Sequence, residues 1–175
     1  VSSSGHLILV PQLYCWPAQN LATDVAIRAG TLLALIAYFW RDLLSMTQGA
    51  IKVARGKRDA RVRLIGLLMV GALPAAASGY FVEAYLADSL RDPRIVAWAM
   101  IGFGLLLYAV DRLGLTVRRI EHMSWGAAFA IGVFQCLAFI PGASRMGTAM
   151  TLARIMGFER PDAARFALLL SIPII

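Results

Sequence analysis

Charged residues are scarce in this sequence, and so are the cysteines and histidines that form disulfides and zinc sites. Only 15% of the 175 residues are charged, against about 25% in an ordinary soluble domain, whereas 59% are hydrophobic. The two cysteines, Cys15 and Cys136, are far apart in apolar surroundings, and no Cys/His spacing typical of zinc sites occurs. These absences argue against a disulfide scaffold or a zinc site and favour a polytopic helical membrane protein.

The surplus of positive charge, +7 at pH 7, does not indicate a nucleic-acid partner. The lysines and arginines fall in short connections between apolar runs, where they determine membrane topology. Connections 48–63 and 111–123 are basic and are expected to face the cytoplasm. Connection 83–94 is balanced in charge and is expected to face outward.

The apolar runs predict an all-α membrane protein that forms a single domain over residues 1–175. We expect a re-entrant Ser-rich segment at 1–23, four spanning helices within 24–140, a second re-entrant segment at 141–160 and a truncated span at 161–175. Glycines in the second span are expected to allow close helix packing. The predicted spans are Ala26–Leu44, Leu64–Val82, Ile95–Val110 and Ser124–Ile140, and the glycines are Gly66, Gly71 and Gly79.

The fourth predicted span ends in the motif PGASRMG, residues Pro141–Gly147. Pro141 and Gly142 interrupt the helix, so Arg145 lies where a membrane-buried segment breaks. A charge there is costly unless it lines a polar cavity or has a partner, which makes Arg145 a functional candidate. A guanidinium, the Ser144 hydroxyl and amides at a helix N-terminus together suit a phosphate group. A snorkelling or capping role for Arg145 is the structural alternative.

The first residues, VSSSGH at Val1–His6, form a second polar cluster at the mouth of an apolar helix. Simple helix capping by serine is the alternative interpretation. By the topology above, both motifs reach the outer half of the membrane on the same side, so we expect them to form one phosphoryl-transfer site. His6 would activate water or attack phosphorus itself, or Ser3 would attack with His6 as its base, and the sequence leaves these alternatives open.

A similar pattern follows both motifs: a short apolar stretch, a Pro-containing turn, and a span that opens with an acid and then an arginine. The two openings are Asp24–Arg28 and Asp162–Arg165. The pattern predicts two re-entrant segments in an inverted repeat, typical of folds whose broken helices share a midplane site. Chance similarity between apolar sequences is the alternative.

These two motifs, in this order, resemble those of the undecaprenyl-diphosphatase family of the bacitracin-resistance type, whose second motif usually reads PGxSRSGxT. The resemblance implies a multi-pass enzyme of the bacterial inner membrane with its site toward the periplasm. It would hydrolyse undecaprenyl diphosphate to undecaprenyl phosphate and phosphate, which recycles the lipid carrier of cell-wall synthesis. The implied cofactor is a divalent cation, Mg²⁺ or Ca²⁺. The implied partners are a polyprenyl diphosphate lipid, the membrane and a second copy in a homodimer.

The resemblance also assigns site residues by position. Ser3, His6 and Arg145 are the expected catalytic residues. The expected substrate-binding residues are Ser2, Ser4, Gly142, Ser144, Gly147 and Thr148.

The sequence departs from the family pattern at two positions of the second motif. Met146 and Ala149 stand where the family usually has Ser and Thr. Thr148 compensates only in part, because one position along a helix turns a side chain by about 100°. The family's acidic residues, the expected metal ligands, would lie upstream of Val1. The sequence starts without Met inside the Ser-rich motif and stops within an apolar run, so we expect a fragment lacking both ends. Without the upstream acids we expect this chain to be inactive by itself.

Several interpretations stay open. The alternative function is a membrane transporter or lipid flippase built on the same broken-helix fold. Arg28 is either a second phosphate contact or, the preferred interpretation, a partner of Asp24 one helical turn earlier. Gln135 is interpreted as a helix-packing hydrogen bond and Asp162 as an acid in the first turn of a helix.

Overall fold

The computed structural model describes residues 3–15, 21–54, 60–85, 92–114 and 116–174. Regular structure in these ranges is helical, apart from one isolated parallel bridge between Arg118 and Phe158, which confirms the predicted fold class. The α-helices are α1 Ser3–Leu13, α2 Leu21–Tyr38, α3 Trp40–Ala54, α4 Ala60–Tyr85, α5 Pro93–Leu113, α6 Trp125–Phe134, α7 Arg145–Ile155 and α8 Arg160–Ser171. Short 3-10 helices cover Ile120–His122 and Gln135–Phe139.

Two of these helices, α4 and α5, are long and apolar enough to cross a membrane. They contain the second and third predicted spans. Helix α5 has 21 residues and is longer than predicted, because Asp92 caps its N-terminus and Pro93 occupies the first turn, where a missing N–H costs nothing. Its side chains Trp98 and Leu105 are 74% and 63% exposed, as expected for a surface that faces lipid.

The first predicted span, Ala26–Leu44, is bent rather than straight. Helices α2 and α3 meet at Phe39 with an angle of 73°. The bend places the Phe39 side chain in the hydrophobic core, where it is 6% exposed, and directs Asp42 to an ion pair with Arg165 of α8. Helix α3 then continues to Ala54, into the segment that sequence analysis treated as a connection.

Helices α4 and α6 cross at very small separation. A Cβ atom added to Gly132 of α6 would lie 2.1 Å from the carbonyl oxygen of Gly71. Gly66 and Gly79 of α4 likewise face the Trp125 and Phe139 rings, with Cβ positions 2.5 Å and 3.1 Å away. The prediction that the α4 glycines serve close packing is therefore confirmed. Since contacts advance along both segments together, α4 and α6 run parallel.

The basic connection after α5 is ordered by α7 and α8. The Arg118 carbonyl accepts from the Glu159 amide at 2.8 Å, and Asp162 accepts from the Ile120 amide at 2.8 Å. Asp162 thus lies in the first turn of α8, as predicted, and also holds this loop.

A fully buried arginine, Arg154, lies at the same end of the molecule. Arg154 is 1% exposed and pairs with Asp111, at the end of α5, at 3.2 Å. Its guanidinium also donates to the Phe158 carbonyl at 2.7 Å and to the Thr116 hydroxyl at 3.3 Å. Because α5 and α7 are tied together here, the opposite end of α7 has a fixed position relative to the N-terminal end of α5.

Candidate anion-binding site

The loop of the second motif is held against α5 by a glycine. Gly142 has φ +103°, a conformation that favours glycine, and an added Cβ would lie 2.5 Å from the Val96 carbonyl oxygen. The loop follows the 3-10 helix Gln135–Phe139 and leads directly into α7. Any side chain at position 142 would therefore push the motif away from α5 and strain its backbone.

Ser144 forms the N-cap of α7. Its hydroxyl oxygen accepts from the Gly147 amide at 3.2 Å, and its carbonyl accepts from the Thr148 amide at 2.8 Å. Gly147 permits this cap, since an added Cβ would lie 3.1 Å from the Ser144 Cβ. The Ser144 hydroxyl proton is not used by the cap, and the positive end of the helix dipole lies here. The N-terminus of α7 therefore favours an anion.

Arg145 is the first residue of α7 and is half-buried. One of its five N–H donors binds the Ile174 carbonyl at 3.1 Å. No carboxylate pairs with it among the residues that the structure describes. The guanidinium is thus oriented by one carbonyl and keeps most of its donors for a ligand.

The first motif meets this loop through its own glycine. A Cβ atom added to Gly5 of α1 would lie 3.5 Å from the Cα of Gly142 and 2.6 Å from the sulfur of Met100. The two motifs, at opposite ends of the sequence, are therefore in contact against one turn of α5. His6 follows Gly5 and is exposed.

The remaining residues predicted for the site are placed differently. Ser3 and Ser4 form the first turn of α1, and Ser2 lies outside the described residues. Thr148 is 1% exposed and donates its hydroxyl proton to the Arg145 carbonyl at 3.0 Å. Its hydroxyl therefore offers a phosphate no donor in this arrangement. Ala149 is fully buried in the hydrophobic core, so its methyl group serves packing.

The divalent cation implied by the resemblance finds no ligand set among these residues. No group of three or more His, Cys, Asp or Glu side chains comes together anywhere in the described ranges. The site as described offers donors and positive charge, which suit an anion and not a cation.

Two of the open interpretations receive a structural answer. No ion pair joins Arg28 to Asp24 in the described part of the chain. Gln135 is 1% exposed, and neither its amide nitrogen nor its amide oxygen has a hydrogen-bond partner there, so the predicted packing hydrogen bond is not observed.

Comparison with known proteins identifies the family. The profile of the family described as bacitracin resistance protein BacA matches residues 1–175. The chain belongs to the BacA family. Undecaprenyl-diphosphatase 1 of Rhodospirillum rubrum is 46% identical over 183 residues, and undecaprenyl-diphosphatases of Desulforudis audaxviator and Roseobacter denitrificans are 45% and 42% identical. All three alignments cover 100% of this chain, and the resemblance found from the two motifs is confirmed.

The chain spans 64–66% of the length of these BacA-family relatives. Within the spanned part, sequence reasoning did not identify the structural role of Arg154. The sequence does show its partner, Asp111, as a single acid at the end of the third apolar run. Nothing in the sequence placed the two side chains together.

Proposed function

We propose that the protein containing this chain hydrolyses undecaprenyl diphosphate to undecaprenyl phosphate and inorganic phosphate. The observation that carries the proposal is the contact between Gly5 and Gly142, which brings a Ser/His motif to an arginine at a helix N-terminus. Relatives that carry the name undecaprenyl-diphosphatase align with the whole chain, which supports the substrate. The consequence in the cell would be renewal of the lipid carrier for cell-wall synthesis and resistance to bacitracin.

Charge stabilisation is the part of the reaction that the described residues explain best. The bond between the terminal phosphorus and the bridging oxygen breaks, and negative charge grows on the phosphate oxygens. The free N–H donors of Arg145, the Ser144 hydroxyl and the α7 amides would receive these oxygens. The dipole of α7 would act in the same direction.

The attacking group comes from the first motif in this proposal. Either His6 takes a proton from water or attacks phosphorus, or Ser3 attacks while His6 accepts the hydroxyl proton. In every version the oxygen of water ends on inorganic phosphate and undecaprenyl phosphate leaves. Ser2 and Ser4 are proposed to bind the phosphate groups. A divalent cation, Mg²⁺ or Ca²⁺, remains a prediction from the family, with ligands supplied by residues outside the site described above.

Helix direction supports a proposal for the side of the membrane on which the site opens. Both motifs contact α5 near Val96 and Met100, close to the N-terminal end of this spanning helix. The connection before α5 is balanced in charge, whereas the connections after α3 and α5 are basic. We propose a multi-pass protein of the bacterial inner membrane whose site opens toward the periplasm, and a homodimer as its assembly.

The test is phosphate release from undecaprenyl diphosphate by the purified full-length protein in detergent. We expect multiple turnovers in the wild type and a loss of about 10²–10³-fold in kcat for Arg145→Ala. Arg41→Gln, an exposed arginine stacked on Trp40, is the control and should retain wild-type rates. A wild-type protein that moves the lipid across vesicles without releasing phosphate would replace this proposal with a flippase.

A further inference from the structure

Helix α3 turns away from α2 by 73° instead of continuing it in a straight line. The first turn of α3 lies beside the start of α8, because Arg41, Asp42 and Pro161 line one groove of about 600 Å³. Arg160, at the start of α8, pairs with Asp111 at the end of α5. The beginning of α3 is therefore at the end of the molecule that carries the basic connection after α5.

Helix α4, which follows α3, also begins at this end of the molecule. Arg63 in the first turn of α4 donates to the carbonyls of Glu121 and Met123, in the connection after α5, at 3.2 Å and 2.8 Å. Helix α3 packs against α4, and only residues 55–59 separate the two helices. Because both helices start here and the link between them is short, α3 lies along this end of the molecule.

The surface of α3 is divided along the helix. Met46 and Gly49 are buried on the side that meets the rest of the protein. Trp40, Leu44 and Ile51 are each about half exposed. Since each residue of a helix turns by about 100°, these three side chains fall within about 40° of one another. They form an exposed apolar stripe.

A second exposed stripe lies about 80° around the helix from the first and consists of Arg41, Gln48 and Lys52. Asp42 is the only acid in α3, and it pairs with Arg165 of α8. Within the described residues, neither cation of the stripe forms an ion pair. The link to α4 adds three more cations and one acid. The stripe therefore presents positive charge that no carboxylate of α3 neutralises.

Apolar and basic stripes side by side are typical of a helix that lies in a membrane interface, with apolar side chains among acyl chains and cations among headgroups. An apolar stripe alone would also fit another protein segment, whereas the unpaired cations beside it are complementary to a layer of anionic headgroups. We infer that the two stripes of α3 bind anionic phospholipids of the cytoplasmic leaflet. The choice of leaflet rests on the orientation proposed above, and the contact itself is independent of diphosphate hydrolysis.

The experiment measures the melting temperature of the purified full-length protein in neutral detergent during titration with phosphatidylglycerol, phosphatidylcholine or glycerol 3-phosphate. We expect phosphatidylglycerol to raise the melting temperature, phosphatidylcholine to raise it much less, and the soluble glycerol phosphate to leave it unchanged. In Arg41→Gln/Lys52→Gln, the phosphatidylglycerol concentration that gives half of the effect should rise about 10–30-fold, because two cations near an anionic surface are lost.

The matched control is Arg112→Gln/Arg118→Gln, which removes two exposed cations from the same end of the molecule but not from α3. It should keep the wild-type response to phosphatidylglycerol. Equal losses in the two double variants would show attraction by the overall charge of this end and would overturn the inference. Equal stabilisation of the wild type by phosphatidylglycerol and phosphatidylcholine would overturn it as well.

A second readout places the stripes relative to the lipid. Spin labels are attached at Leu44→Cys or Gln48→Cys, after the native cysteines are replaced, and the protein is reconstituted in vesicles that contain phosphatidylglycerol. The label at position 44 should collide with oxygen, which dissolves among acyl chains, and the label at position 48 with a water-soluble nickel chelate. Labels that neither reagent reaches would show that a protein segment or a second copy covers α3, and would overturn the inference.

Neither readout uses phosphate release, so the two proposals fail separately. The stripes of α3 take no part in hydrolysis, and both double variants should release phosphate at wild-type rates in detergent without added phospholipid. A wild type that hydrolyses no diphosphate but prefers phosphatidylglycerol would overturn the proposed function and support the role of α3. Normal hydrolysis without a lipid preference would overturn the role of α3 alone.

Discussion

The two arginines of α7 occupy opposite ends of one helix and differ in almost every respect. Arg154 is 1% exposed and is paired with a carboxylate, a hydroxyl and a carbonyl. Arg145 is half-buried and, within the described chain, binds one carbonyl and pairs with no carboxylate. The Arg154 side chain is fully removed from water and the Arg145 side chain partly, and in both cases this costs desolvation free energy.

A structural cation and a ligand-binding cation differ in where their hydrogen-bond acceptors come from. Arg154 recovers the cost of burial from partners in its own chain, so it joins α5, α7 and the loop before α6. Arg145 recovers little in this way and keeps its donors free, which is favourable only if a ligand supplies the missing acceptors. The account therefore predicts that one arginine controls stability and the other controls activity.

We expect the largest effect on stability at Arg154, the structural arginine. Arg154→Ala should lower the free energy of unfolding by about 2–4 kcal/mol, because a cavity remains and the Phe158 carbonyl loses a buried donor. The measurement is a thermal or denaturant melt of the full-length protein in detergent. Arg112→Ala, which removes an exposed cation from the Tyr108 ring nearby, is the matched control and should cost less than about 1 kcal/mol. Equal effects of the two substitutions would remove the distinction between the arginines.

At the other end of α7, we expect a substitution of Arg145 to have a small effect on stability and a large effect on activity. Arg145→Ala is expected to change the free energy of unfolding by less than about 1 kcal/mol, since a single hydrogen bond to a half-buried carbonyl is lost. The same variant should lose the 10²–10³-fold in kcat given above. A melt and a rate measured on one preparation compare the two quantities, and a strongly destabilised Arg145→Ala with normal kcat would contradict the account.

The sequence was sufficient for the parts of the fold that depend on local pattern. The apolar runs gave α4 and α5, and the α4 glycines indicated a close crossing. The bend at Phe39 was not predictable, because it is stabilised by the core around Phe39 and by Arg165, which lies far along the chain. The burial of Arg154 was missed for the same reason: its partner Asp111 is on another helix.

For the site, motif order and charge bias were enough to expect that Ser144 and Arg145 approach the first motif. They were not enough to show how the motifs touch. That contact depends on two glycines, Gly5 and Gly142, which meet against α5. These are details of packing, which sequence pattern does not encode.

A third substitution tests the glycine contact. Gly142→Ala should destabilise the protein by about 1–3 kcal/mol and reduce activity, because its φ of +103° and the 2.5 Å approach to the Val96 carbonyl leave no room for a methyl group. Gly102→Ala is the control on α5, where an added Cβ meets nothing within 4 Å, and it should be neutral or stabilising. Melts and phosphate release measure both. A harmless Gly142→Ala would show that the loop is not held as described.

The smallest effect concerns Gln135, a buried side chain without a hydrogen-bond partner in the described residues. Gln135→Met keeps the volume and removes two unsatisfied polar atoms, so it should stabilise the protein by about 1 kcal/mol. Gln135→Glu should destabilise it, because a buried charge replaces a buried amide. Thermal melts of the full-length protein measure both changes. Destabilisation by Gln135→Met would show that the amide has a polar partner in the complete protein.

If the proposed function is right, two motifs that are far apart in the sequence bind one diphosphate together. This can be measured by hydrogen–deuterium exchange of the full-length protein with and without methylene diphosphonate, a non-hydrolysable diphosphate. We expect slower exchange in both the first turns of α1 and the Gly142–Thr148 segment, with no change around Asp111 and Arg154. Slower exchange confined to one motif, or found only around Asp111 and Arg154, would contradict the claim.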